Sequence, residues 1–99
     1  MAKLSRSNGI LVLELSLEEA IEVQADVTCG LCYKRITSTI FKPVNNFSNY
    51  CPNCIGRITR ATDSEKYRKY YIESGEETVW KAKVKSICRR NGIVVEDRS

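Results

Sequence analysis

Apolar residues run almost without a break through Ile10-Leu11-Val12-Leu13-Glu14-Leu15, which reads as a β-strand. From Ile21 to Cys29 every odd position is apolar and every even one polar. Strict period-two alternation of this length predicts a half-buried strand. A helix over Ser16 to Gln24 competes, because Ser16 and Glu19 form the S-x-x-E pattern of a capping box. The alternation continues to Thr28, and this favours a β-hairpin over residues 9–28 that turns near Ser16–Glu19 and keeps its acids on the exposed face.

The middle of the chain offers Tyr33 to Phe41, β-branched and aromatic enough for another strand, which Lys42-Pro43 ends. Asn45-Asn46 is a turn signal before a partner strand over Phe47 to Tyr50. The period then changes. Thr62-Asp63-Ser64-Glu65 is a second capping-box pattern, and Tyr67, Tyr70 and Tyr71 mark one helical face, with Glu65 and Lys69 spaced to pair. Gly75 closes that helix. Ser74-Gly75-Glu76-Glu77 opens the next, whose apolar positions are Val79, Trp80, Val84, Ile87 and Cys88, and Asn91-Gly92 caps its end. The two helices make an αα-hairpin over residues 63–91, followed by a short strand over 93–96.

Composition narrows what such a chain does. Ninety-nine residues allow one domain over 1–99, and a core this small gains from a covalent or metal staple. Histidine is absent, which excludes imidazole-based triads and His-containing zinc sites, and predicts a protein that is not an enzyme. No apolar run is long enough to span a membrane, and the first residues lack a signal-peptide pattern, so an intracellular, cytoplasmic or nuclear, protein is expected.

Four of the five cysteines form two C-x-x-C units, Cys29-Gly30-Leu31-Cys32 and Cys51-Pro52-Asn53-Cys54, with 18 residues between them. Two intervening residues let a chain turn tightly enough for both sulfurs to face one ion, and 18 are enough for a hairpin that returns the second pair beside the first. Two disulfides suit an exported protein, and a redox C-x-x-C usually occurs singly. One structural Zn²⁺ held by Cys29, Cys32, Cys51 and Cys54 is therefore expected, although iron occupies four-cysteine sites as well. Cys88 lies on the apolar stripe of the second helix and reads as a core thiol.

Thr28-Cys29-Gly30-Leu31-Cys32 and Tyr50-Cys51-Pro52-Asn53-Cys54-Ile55-Gly56 resemble the two knuckles of zinc-ribbon and treble-clef zinc fingers, over about residues 27–60. In a ribbon the second pair leads into a strand; in a treble clef it begins a helix. Pro52 suits a helix start, while Gly56 and Ile58-Thr59 weaken a long helix. Both groups include nucleic-acid and protein binders. The expected fold is α+β: a zinc-stapled hairpin module over 29–60, an N-terminal β-hairpin and a C-terminal αα-hairpin.

The formal charge of +4 is unevenly spread. Residues 1–28 hold two basic and five acidic side chains, residues 29–62 five basic and none acidic. Lys34 and Arg35 follow the first knuckle, Arg57 and Arg60 the second, and Lys81, Lys85 and Arg89 recur every four residues on the last helix. These seven are the candidate phosphate contacts of a nucleic-acid-binding regulatory protein, with the tyrosines as base-stacking candidates. Four thiolates and one Zn²⁺ lower the total charge to about +2, which suits weak or cooperating contacts. The competing expectation is an adaptor or inhibitor that docks on a larger protein through a zinc-stapled surface.

Overall fold

The computed structural model describes residues 1–44 and 48–99. At its centre is a four-stranded sheet of β1 (Ala2–Ser7), β2 (Ile10–Leu15), β3 (Ile40–Pro43) and β4 (Val95–Asp97), in the order β3-β2-β1-β4. β1, β2 and β3 pair antiparallel, and β4 lies parallel to β1. Asn8 and Gly9 turn the chain between β1 and β2, both with positive φ (50° and 81°), which matches the twist of the flanking strands.

The register puts Leu4, Leu11, Leu13, Leu15 and Ile40 on one face, and Ile10, Val12, Phe41 and Pro43 on the other. Helices cover both. The long helix α4 (Glu76–Arg90) lies over the first face, where Val84 and Cys88 share a cleft lining with Leu13 and Leu15. Helix α2 (Pro52–Ala61) meets the second: Thr59 Oγ1 lies 2.8 Å from Ser7 Oγ and accepts from Asn8 Nδ2 at 3.1 Å. Five of the six residues of β2 are buried, each large one contributing about 1.5–3 kcal/mol over its exposed state. That is why its apolar run shows almost no alternation.

The N-terminal hairpin is displaced from the expected 9–28. It runs from Ala2 to Leu15, and the Ser16 capping box prevails: the Glu19 N–H donates to Ser16 Oγ (3.2 Å) and the Ser16 N–H to Glu19 Oε1 (2.9 Å), opening α1 (Leu17–Glu22). The alternation survives without a strand. Val23, Ala25 and Val27 are half-buried and Cys29 fully buried, whereas Gln24, Asp26 and Thr28 are exposed, on irregular backbone that meets other segments through isolated bridges, Thr28 with Arg35 and Cys29 with Asn49, and not through a continuous ladder. Burial on alternate sides requires no ladder of hydrogen bonds.

Of the strand expected over Tyr33–Phe41 only Ile40 and Phe41 form one, because Tyr33 has a left-handed φ of 61° and residues 37–39 are irregular. β3 runs on through Lys42 and Pro43, expected to end it, since a proline is tolerated on an edge strand. The Asn45-Asn46 turn, and Phe47 of its partner strand, lie outside the described residues; Tyr50 pairs with Phe41 through an isolated bridge. The C-terminal helices form, with altered caps. Asp63, not Thr62, caps α3 (Ser64–Tyr67), accepting from the Glu65 and Lys66 N–H groups at 3.0 and 3.3 Å. A π-helical turn (Arg68–Ile72) follows; no Glu65–Lys69 ion pair forms among the described residues, since the helix widens from Arg68 onward. The third capping box is also absent: Gly75, at φ 85°, is the N-cap of α4, and Glu77 bonds elsewhere. Val79, expected on the apolar stripe, is exposed. The Asn91-Gly92 stop holds as a Schellman motif, with Gly92 N–H to Arg89 O at 3.1 Å and Ile93 N–H to Cys88 O at 2.9 Å. No helix among the described residues is long and apolar enough to cross a membrane.

Candidate metal centre

The sulfurs of Cys29, Cys32, Cys51 and Cys54 all lie within 4.8 Å of one another, and Cys32 Sγ is 4.0 Å from Cys51 Sγ. Sulfurs bound about 2.3 Å from a tetrahedral Zn²⁺ stand about 3.8 Å apart. The arrangement is consistent with a four-cysteine zinc site.

Local structure explains how the two pairs meet. The first knuckle tips a small two-stranded loop, closed by Cys29 N–H to Lys34 O (2.9 Å) and Ile36 N–H to Val27 O (2.7 Å). Within it the Tyr33 N–H returns to Cys29 O at 3.0 Å, and the Leu31 N–H points at Cys29 Sγ at 3.5 Å. Gly30 permits close packing on the returning chain: its N–H donates to Asn49 O (2.9 Å), and a Cβ there would stand 2.5 Å from Ser48 Cβ. Asn49 fastens the approach from the other side, its Nδ2 donating to Asp26 O at 2.8 Å. In the second pair, Cys51 is the N-cap of α2, Pro52 its first residue and Cys54 its third. The second pair thus begins a helix and not a strand, and α2 runs on through Gly56 and Thr59, the two features that argued against its length. Thiolates at the first turn face the positive end of the helix dipole.

The cluster straddles the protein boundary. Cys29 and Cys54 are buried in the core with Ile36, Ile40 and Ile55, Cys51 is half-buried and Cys32 exposed. Burial disfavours the Cys29 thiolate, but N–H groups of Cys32, Cys51 and Leu31 outweigh it and bring its thiol down to about 6. Cys54 is pushed up to about 12, first by its hydrogen bond with the Cys51 side chain and then by burial. A divalent cation at their centre would draw all four sulfurs into the thiolate form. With four sulfur ligands it would have no open position for a substrate. Cys88 stands apart, 2% exposed beside Val84, and burial raises its pKa.

The seven basic candidates separate into two groups. Lys34, Arg35, Arg57 and Arg60 are exposed. Lys34 and Arg35 line a cleft of about 460 Å³ together with Cys32, Cys51, Pro52 and Asn53. On α4, Lys81 and Lys85 both pair with Asp97, at 3.1 and 2.9 Å, which holds β4 against the helix and leaves only Arg89 of that row exposed. The strand expected over 93–96 forms as β4, shifted to Val95–Asp97, and the ion pairs of its Asp97 break the expected phosphate-tracking row. Sequence reasoning also missed Arg6, whose guanidinium grips Glu77; its one signal is the Asn8-Gly9 turn, which makes β1 a strand. Comparison with known proteins gives no match to a family model, a curated protein or a solved structure.

Proposed function

We propose that this chain is a structural-zinc module of treble-clef type that binds nucleic acid in transcription or a related regulatory process. The observation that carries the reading is the cleft in which Lys34 and Arg35 stand beside the outer sulfurs and the exposed start of α2. The metal's role is architectural: it ties the Cys29 knuckle to α2 and so fixes where these basic side chains, and Arg57 and Arg60 on the helix, face solvent. The metallated centre carries two negative charges, a resident counter-charge for Lys34 and Arg35. The contact is accordingly weak alone, salt-sensitive, and suited to a module that works with other contacts.

Titration of the zinc-loaded protein with labelled duplex and single-stranded DNA and RNA at two salt concentrations tests this. Binding at low salt that weakens as salt rises, and falls further in Lys34→Glu/Arg35→Glu, supports it. Absence of binding to every probe at low salt overturns it in favour of a protein-docking module.

A further inference from the structure

Beyond Tyr67 the helix widens. The Glu73 N–H reaches back five residues to Arg68 O at 2.9 Å, and Arg68–Ile72 forms the π-helical turn. Such turns are rare and recur at functional sites, because a regular helix would be the default for the same residues. This one carries two of three clustered tyrosines. Tyr67 and Tyr71 stack with centroids 5.1 Å apart, and Tyr70 meets Tyr71 edge-on at 4.9 Å. With Thr62, Lys66 and Lys69 they line an open cleft of about 530 Å³ whose lining holds no carboxylate.

The tyrosines differ in how the fold uses them. Tyr67 is 4% exposed, and its hydroxyl is engaged with Glu77 and the Leu11 N–H. Tyr70 is 63% exposed, a large ring left in water. Lys66 and Lys69 are exposed on the cleft and form no ion pair among the described residues.

The geometry points to a base-stacking site for single-stranded nucleic acid, with Tyr70 as the platform beside Tyr71 and with Lys66 and Lys69 on the flanking phosphates. This rests on the nucleic-acid reading above and adds where the strand lies and in what form. A duplex keeps its base faces within the stack, so an aromatic platform reaches them only on a single strand. A proline-rich peptide also docks on aromatic rings, but the two uncompensated lysines on a carboxylate-free lining are complementary to a polyanion.

The test is fluorescence anisotropy of the zinc-loaded protein with labelled oligo-deoxythymidylate and with a duplex of equal length. Single-strand binding should be the tighter. Stacking contributes about 1–3 kcal/mol per base, so Tyr70→Ala should weaken single-strand binding by about 5- to 150-fold while leaving duplex binding and the melting temperature unchanged. Tyr70→Phe should restore it, since the ring and not the hydroxyl is the platform. Lys66→Gln/Lys69→Gln should lower the single-strand salt slope by about 1.4. Equal single-strand affinity in wild type and Tyr70→Ala overturns the stacking site even where duplex binding persists. Failure of both probes at low salt overturns the stacking site as well, and the nucleic-acid reading falls with it when the RNA probes fail too.

Discussion

The Tyr67 hydroxyl donates to the Glu77 carboxylate while accepting from the Leu11 backbone N–H at 3.2 Å, so one phenol ties the helical hairpin to the central strand. Arg6 completes the group. Its guanidinium grips both Glu77 oxygens, through Nη1 at 3.1 Å and through Nη2, and also donates to Gly9 O at 3.1 Å.

This network makes part of the stability depend on pH. Burial works against ionisation of Glu77, but bonds from Arg6 and Tyr67 outweigh it and hold the carboxyl below its ordinary value of 4.5. A carboxyl with a depressed folded-state pKa contributes stability that is complete above its unfolded value and is lost as pH falls through the folded one. Denaturant unfolding should show stability declining below pH 4.5, with a shallower decline in Glu77→Gln. Tyr67→Phe strands the Leu11 N–H and should cost about 1–3 kcal/mol at neutral pH.

The purified protein should carry one zinc per chain, measured by native mass spectrometry before and after chelation. Structural zinc contributes on the order of 10 kcal/mol in small fingers, comparable with the whole stability of a domain. Cys51→Ser should therefore lose the metal and lower the melting temperature by more than about 10 °C. Cys88→Ala, which removes a core thiol outside the cluster, should retain full zinc.

Gly30→Ala should destabilise the knuckle by about 1–3 kcal/mol, because the new methyl would meet Ser48 Cβ at 2.5 Å, a backbone-fixed atom that cannot swing aside. Adding Ser48→Gly to that variant removes the obstructing atom. Chemical denaturation should show part of the loss recovered.

The two groups of basic residues should behave differently in a nucleic-acid titration. Lys81→Gln/Lys85→Gln removes side chains already paired with Asp97 and should leave affinity within about twofold while loosening β4. Arg57→Gln/Arg60→Gln removes exposed, unspent charge and should lower the salt slope by about 1.4 for a single strand.

How far the chain could be read follows from the range of the forces involved. The four-cysteine cluster was legible because ligand type and spacing are local, and so were the Asn91-Gly92 stop and Cys88 as a core thiol. The form of the N-terminal segment was not, because the helix opened by the Ser16 capping box and the period-two pattern overlap at residues 21–22, and both act: helix first, alternating burial afterwards. The Asn8-Gly9 turn was a local signal, masked by the small apolar content of Ala2–Ser7, where only Ala2 and Leu4 are buried. Least legible were Glu77, drawn from a capping role by Arg6 some seventy residues away, and Asp97, which claims two lysines of α4. Arg6 and Glu77 are 71 residues apart, so no window along the chain contains both, and Asp97 reaches Lys81 and Lys85 only because the Asn91-Gly92 stop turns the chain back along α4.

The parallel pairing of β4 with β1 sets a constraint on the order of folding. Ala2 lies opposite Val95, and the Arg98 N–H bonds Leu4 O at 2.7 Å, so this ladder closes a far longer loop than any other pairing in the sheet. The β1–β2 hairpin needs only a two-residue turn, and the metal closes a loop of intermediate length. Closure entropy rises with loop size, and contacts between distant residues slow folding. The sheet should therefore grow outward from its tight turn and gain β4 last, leaving one side of β1 open to a mistaken partner until the final strand docks.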